Sequence, residues 1–457
     1  MTEATVPFGK KISFALGNIG GLAVGQSTIL LLYTYYFLYL GVPLSPLGIA
    51  VILVIYGVWD ALNEPIIGHL SDFTRSKWGR RKPFIIFGLI PLIICSYLIY
   101  TPPTNDPISC TIYLIIVLVL YELFVTMVIT CWYSLFPEIS LDQNERLSIS
   151  KYLQIFGLFG LIIGLGIAPM IAGSFPAAIG YPIMGLVLGI ICAIFMVPTI
   201  LFVKERKEYQ VKEDTAKISF LKAITISLKN RSFLYFVLVQ FLLQLAYALV
   251  ISSLPLFFEG ILGLGTLQYS ALLLSAFITV IPGLLIWIWI ANRKGTKFSL
   301  FLSMLCFAVV FPFSFFITNP IIGIVVLLFG GFGLGGLMLL PTILLSDVID
   351  EDQLKTQERR EGIFSGVSGV IVKLANAISW GIIGVILTIF LIDRETLSPA
   401  TLTPFNEVGL RILVGVLPVV CILVGLLFLW RYPLAGPKLA QVKDQVLRLN
   451  KEIFKED

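Results

Sequence analysis

Ser134-Leu135-Phe136-Pro137-Glu138-Ile139, running on to Glu145-Arg146-Leu147-Ser148-Ile149, has a counterpart half a chain later in Leu345-Ser346-Asp347-Val348 and Arg359-Arg360-Glu361-Gly362-Ile363. In each copy an apolar run ends in an acid, a polar spacer follows, and an arginine precedes the next apolar run. A repeat of this kind divides a chain into two similar sets of elements. The divide falls in the charged stretch 204–232, which carries eight Lys and Arg.

Outward from these loops the chain is apolar. Of its 457 residues 58% are hydrophobic and 13% charged, and the mean hydropathy is +0.96. A soluble chain carries about 25% charged residues, so an ordinary soluble domain is excluded. A helix needs about 20 mostly apolar residues to cross the hydrocarbon core. Twelve such runs are present: 12–40, 46–70, 84–101, 109–136, 152–173, 181–203, 233–258, 268–291, 298–317, 320–345, 362–392 and 409–430. Lys10 and Lys11 precede the first run, which is too long for a signal-peptide core and has no small-residue cleavage site before Tyr33 to Tyr39. It is read as helix 1.

Basic residues set the orientation, because Lys and Arg accumulate in short cytoplasmic loops. All but three of the 32 fall on one side: at the N-terminus, in alternate loops, in 204–232 and in the C-terminal tail. Arg394 and Arg411 fall on the other side, and Lys373 lies within a run. Both termini are therefore expected in the cytoplasm, with the protein in the plasma (cytoplasmic) membrane. The expected organisation is a six-helix half at 1–203, a charged linker at 204–232, a second six-helix half at 233–430 and a tail at 431–457. Two halves related by a parallel repeat, with a substrate site near the midplane, describe the major facilitator architecture. The fold class is thus an all-α membrane protein with twelve transmembrane helices.

The composition also argues against other classes. There is one histidine, His69, and the six cysteines (Cys95, Cys110, Cys131, Cys192, Cys306, Cys421) form no CxxC pair. No cytoplasmic segment is large enough to hydrolyse ATP, and no filter-ring motif of a channel is found. Gly330-Gly331-Phe332-Gly333-Leu334-Gly335-Gly336 lies inside an apolar run without the lysine of a phosphate loop, and reads as close helix packing or a hinge. The chain is read as no enzyme, with no cofactor beyond a coupling ion, no nucleic-acid partner, and as a monomer. Its partners are the lipid bilayer and a small-molecule substrate.

Charges inside the membrane cost several kcal/mol unless paired or wet, so they mark function. Asp60 and Glu64 in helix 2 lie one turn apart on one helix face and stay ionised only beside a cation. The candidates are Na+, a proton on one carboxyl, or the ammonium of Lys373 in helix 11; a structural ion-pair network between helices 2 and 11 is the plainer alternative. Glu122 in helix 4 is a further charge of this kind and the weaker candidate, with pairing to a polar group unrelated to transport as its alternative. At the cytoplasmic end of helix 2, Pro65 to Phe84 reads as a gate latch rather than a substrate site. Gly68 there permits close helix packing, Asp72 accepts from an arginine or helix N-terminus, Gly79 turns the chain, Arg75 and Arg80 to Lys82 anchor it, and His69 is a boundary hydrogen-bonder. Glu138 with Arg146, and Asp347 with Arg359, complete the expected gate.

Trp59-Asp60-Ala61-Leu62-Asn63-Glu64-Pro65, followed by Thr74-Arg75-Ser76-Lys77-Trp78-Gly79-Arg80, closely resembles the glycoside-pentoside-hexuronide:cation symporters, the family of the bacterial melibiose carrier. Asp347-Val348-Ile349-Asp350, Arg359-Arg360-Glu361-Gly362-Ile363 and Val372-Lys373 match that family's second half, and Gly79 to Phe84 is similar to the related sucrose-type carriers. The resemblance implies that Asp60 and Glu64 stand at the two cation-binding carboxylates, Thr126 at the helix 4 cation ligand, and Lys373 at the helix 11 lysine. The family's sugar-binding aspartates fall on Leu22 and Ile129, its arginine before the first carboxylate on Gly57, and its helix 4 tryptophan on Tyr133. The substrate cavity is then expected from Asn18, Gln26, Thr130, Trp132, Tyr133, Gln154, Gln240, Gln244, Asn376 and Trp380. The implied function is secondary active symport of a sugar or glycoside, coupled to Na+ or H+. The alternative is a carrier of an amphiphile such as a lysolipid, or a non-transporting sensor on the same fold.

Overall fold

The computed structural model describes residues 6–40, 44–103, 106–139, 143–203, 205, 225, 227–356 and 360–453. Among them eleven helices are long and apolar enough to cross a membrane, and a twelfth is apolar over 17 residues. In chain order these are α1 (Phe8–Tyr39), α2 (Pro46–Phe73), α3 (Lys82–Leu98), α4 (Pro107–Tyr133), α5 (Ser148–Gly173) and α6 (Ala177–Phe202). They continue as α7 (Arg231–Leu262), α8 (Thr266–Lys294), α9 (Thr296–Phe316), α10 (Pro320–Thr356), α11 (Glu361–Ile389) and α12 (Pro404–Arg431). A polar tail helix, α13 (Pro437–Ile453), follows. The twelve apolar runs therefore each form a helix. The largest boundary error is at α10, which runs eleven residues past the apolar stretch.

Local chemistry fixes where several helices start and bend. Ser45 accepts the Gly48 amide at 3.1 Å and Asp106 accepts the Ser109 amide at 2.8 Å, each followed by a proline at the first helical position. Single wide π-turns interrupt α1 at Tyr35–Tyr39, α5 at Ile163–Ile167 and α12 at Ile412–Val416.

The described residues fall into two compact units. The first lies within Met1–Ala216, Ile251–Leu274 and Trp380–Glu407, the second within Lys217–Val250, Ser275–Ser379 and Val408–Asp457. These units are drawn differently from the sequence halves, since the end of α7, the start of α8 and the end of α11 go with the first. Small residues allow it: Gly384 faces Ala50, and Gly173 faces the backbone at Leu267. In the first unit α3 packs between α4 and α6, α2 lies on α4, and α1 lies on α5 and α6.

In the second unit α9 packs on α10 and α12, and α13 lies on α10. The glycine run of α10 is a packing surface: a side chain on Gly331 would meet the Ala276 carbonyl of α8, and one on Gly336 would approach Ser303 of α9 at 2.5 Å. Gly331→Val is expected to destabilise this unit by about 1–3 kcal/mol through overpacking, read as a lower thermal midpoint of the detergent-solubilised protein.

Candidate functional site

The site is built on the face that α2 turns to α4. Tyr56, Asp60, Asn63 and Glu64 are spaced three or four apart, so they line one stripe. Opposite them Val119, Glu122, Thr126 and Thr130 make the matching stripe of α4. Trp59 donates its indole N–H to the Val119 carbonyl at 3.0 Å, and Asn63 Nδ2 donates to the Glu122 carbonyl at 3.1 Å. Tyr56 donates to Glu122 Oε2 at 2.8 Å, Thr126 to Glu122 Oε1 at 3.2 Å, and Thr130 to Glu64 Oε1 at 3.2 Å.

Two consequences follow from who donates to whom. Thr126 gives its proton to Glu122, so the hydroxyl oxygen keeps its lone pairs for another partner. Asn63 has its amide orientation fixed by the bond from Nδ2. Its Oδ1 is then a buried acceptor with no donor among the described residues, and the side chain is 0% exposed. An orphaned buried acceptor is costly, and a cation is one partner that relieves it. No three His, Cys, Asp or Glu side chains converge as a metal cluster among the described residues. The donor set on offer is therefore two carboxylates with neutral oxygens.

Sequence reasoning missed Asn63 and ranked Glu122 as the weaker of the charges within the apolar runs. Glu122 is 5% exposed and accepts from Tyr56 on the stripe that carries Asp60 and Glu64. The signal was present in the spacing of Val119, Glu122, Thr126 and Thr130, but one sequence does not say that this face meets α2.

The remaining expected residues divide sharply. Lys373 is half-buried in the second unit, as are Gln240, Gln244 and Asn376; Gln244 Nε2 donates to Asn376 Oδ1 at 2.8 Å, and Gln240 Oε1 is buried without a donor. Trp380 belongs to the first unit, where its ring lies 5.6 Å from that of Tyr56 and its N–H is buried without an acceptor. Asn18 ties α1 to α5 through the Leu153 carbonyl at 2.8 Å, Gln26 is half-buried, and Gln154 and Tyr133 are exposed. Trp132 is not a cavity residue: it is 1% exposed, stacked on Phe14 at 5.1 Å, and donates to the Phe14 carbonyl. Leu22 and Ile129 are packing residues, set against Gly157 and Gly160 in one case and Gly21 in the other.

The latch after α2 is a double clamp. Glu138 accepts from Arg80 at 2.5 Å and from Arg81 at 3.0 Å, and Arg81 also reaches the Ser134 carbonyl. Glu205, in the stretch read as linker, accepts the backbone amides of Arg80 at 2.7 Å, Arg81 at 3.1 Å and Lys82 at 2.8 Å. Three successive amides at a helix start form a ready anion site. Gly79 allows the turn at φ 112°, and a side chain there would strike the Glu205 carboxylate. Gly68 is a correction: among the described residues nothing lies within 4 Å of its would-be side chain, so the close helix packing expected of it is not seen there. His69 is exposed and meets Phe73 edge-on at 4.6 Å, and Arg75 is exposed. The side chains of Asp72 and Arg146, and the whole of Arg359, lie outside the described residues. In the second unit Asp347 pairs with Lys443 of α13 at 3.1 Å, and Glu351 with Lys438 at 3.2 Å. That pairing explains why α10 continues so far beyond the membrane run.

Comparison with known proteins agrees with this architecture. A family model described as MFS/sugar transport protein matches residues 13–436. The sodium-dependent lysophosphatidylcholine symporter 1-A of Danio rerio is 26% identical over 471 residues, covering 93% of this chain and 85% of that one. The lactose permease of Leuconostoc lactis is 24% identical over 469 residues, covering 97% of this chain and 72% of that one. Among solved structures, the nucleoside transporter NupG superposes with a TM-score of 0.61 at 12% identity, covering 93% of this chain and 100% of that one. PepTSo2 gives 0.62 at 14% identity, covering 92% and 97%. The chain is an integral membrane protein that belongs to the MFS/sugar transport family, a secondary transporter with the major facilitator fold.

Proposed function

We propose that this transporter couples the movement of Na+ to that of a sugar or glycoside by alternating access between its two six-helix halves, 1–203 and 233–430. The observation that carries the cation is the orphaned Asn63 Oδ1 on the stripe of Asp60 and Glu64. A proton needs only a carboxylate, whereas Na+ takes several oxygens, and here neutral oxygens from Asn63 and Thr126 accompany the acids. Glu122 orients Thr126 from behind. Binding of the cation changes the charge on α2, and a ligand that binds one state better shifts the equilibrium between states. Both termini lie in the cytoplasm, the membrane is the plasma membrane, and the protein works as a monomer.

A second reading has an observation of its own. Leu22 and Ile129 pack against helix glycines where a galactoside carrier holds carboxylates, and the Danio rerio relative is named for a lysolipid. An amphiphile needs fewer polar contacts than a sugar.

Uptake into proteoliposomes decides between them, with labelled sugars and a labelled lysolipid offered under separate Na+ and pH gradients. Sugar uptake driven by Na+ is the expected result. Movement of the lysolipid alone transfers the assignment to the amphiphile, and uptake driven only by pH removes Na+ from the scheme.

A further inference from the structure

Outside the α2–α4 site, Glu259 is a carboxylate held inside a membrane-crossing helix, one turn before the end of α7 and directly after the apolar Leu254 to Phe258. It falls one residue beyond the apolar run at 233–258. A carboxylate partly withdrawn from water is costly unless hydrogen-bonded. Its Oε2 accepts from the Tyr39 hydroxyl at 2.7 Å. That hydroxyl is 3.3 Å from Thr266 Oγ1, which is 3.5 Å from the Tyr181 hydroxyl. The Tyr181 ring lies 5.3 Å from that of Tyr39 and 4.8 Å from that of Tyr35. Seven residues deeper on α7, about 10 Å along the helix, Ser252 donates to the Ile29 carbonyl at 2.9 Å. All of these residues belong to the first compact unit. Tyr39 is also the last residue of the π-turn Tyr35–Tyr39, and π-turns inside helices concentrate at functional sites.

We propose that the Tyr39–Glu259 hydrogen bond is a latch holding α1 to α7 at the end away from the basic loops, and that it breaks whenever that end opens. A bond to a carboxylate is stronger than one between neutral groups. Once Tyr39 leaves, the Glu259 carboxylate loses this donor, and water must enter to solvate it. Closing the end and excluding water are therefore the same event. Tyr39 and Glu259 are positioning residues, acting on access rather than on the cargo. The assignment of this end to the outside rests on the orientation proposed above.

The test is the rate at which a membrane-impermeant thiol reagent labels Ser252→Cys, in protein whose six native cysteines are replaced, in right-side-out and inside-out vesicles. Ser252 is buried below the latch, so labelling reports opening and needs no known substrate. Tyr39→Phe, which removes the donor, is expected to speed labelling from the outside by about ten-fold, as for loss of one hydrogen bond to a carboxylate, and Glu259→Gln, which keeps a weaker acceptor, to speed it by less. The double variant is expected to go no faster than Tyr39→Phe. Unchanged rates from both faces overturn the proposal, as does a double variant whose acceleration is the product of the two singles. Acceleration seen only in inside-out vesicles keeps the latch and overturns the orientation instead.

Discussion

Asp60→Asn is expected to leave a folded protein that no longer moves substrate under a Na+ gradient. Asn keeps the shape of Asp but removes one of the two acids on the α2 stripe. Removing a group that merely orients a metal ligand costs about 10–100-fold in affinity, so losing a carboxylate from the site itself should cost at least about 100-fold. Glu122→Gln, which weakens the acceptor that Thr126 and Tyr56 share, should fall within the 10–100-fold range. Both effects are measurable without the substrate. A ligand present at about 100 times its Kd stabilises the folded state by about 2.7 kcal/mol. The thermal midpoint of the unaltered protein should therefore rise when Na+ replaces choline in the buffer. The rise should vanish in Asp60→Asn, and in Glu122→Gln it should return only at higher Na+. A rise that persists in Asp60→Asn locates the cation elsewhere.

Gly79→Ala is expected to be the most damaging single-methyl change in the latch. At φ 112° a side chain is strained by about 1–3 kcal/mol. The same methyl also meets Glu205, which must then leave three backbone amides, each bond being worth about 0.5–1.5 kcal/mol. Together these come to about 2.5–7.5 kcal/mol, a large fraction of ordinary stability. Glu205→Gln tests the second part alone, because it keeps the glycine turn and weakens only the acceptor. The expected order of thermal midpoints is unaltered protein, then Glu205→Gln, then Gly79→Ala. Equal midpoints for the two variants would mean that backbone strain contributes nothing.

Much of this arrangement was legible in the chain. Twelve apolar runs correspond to twelve helices because the length needed to cross a bilayer is a one-dimensional property. Asp60 and Glu64 stood out for the same reason, being acids in an apolar run at helical spacing. What escaped depends on which faces meet across long stretches of chain. Glu122 lies 66 residues from its donor Tyr56, Glu205 lies 125 residues from the Arg80 amide it accepts, and Glu259 lies 220 residues from Tyr39. Trp132 misled in the opposite direction: an aromatic beside the expected site filled the core against Phe14. Asn63 is the subtlest case, since its role follows from the orientation of one amide.

The π-turn of α1 carries a consequence for insertions and deletions. A π-turn accommodates one residue more than an α-helical turn would, and each residue of an α-helix adds about 100° of rotation. Removing any one of Tyr35 to Phe37 would let α1 close into a regular helix and leave Tyr39 over the same turn, whereas one deletion in the regular turns before it, with the π-turn kept, would rotate Tyr39 about the axis by roughly that angle and swing its hydroxyl away from Glu259. A single-codon deletion in an apolar segment, invisible to hydropathy, would thus undo a contact that most point substitutions along α1 leave in place.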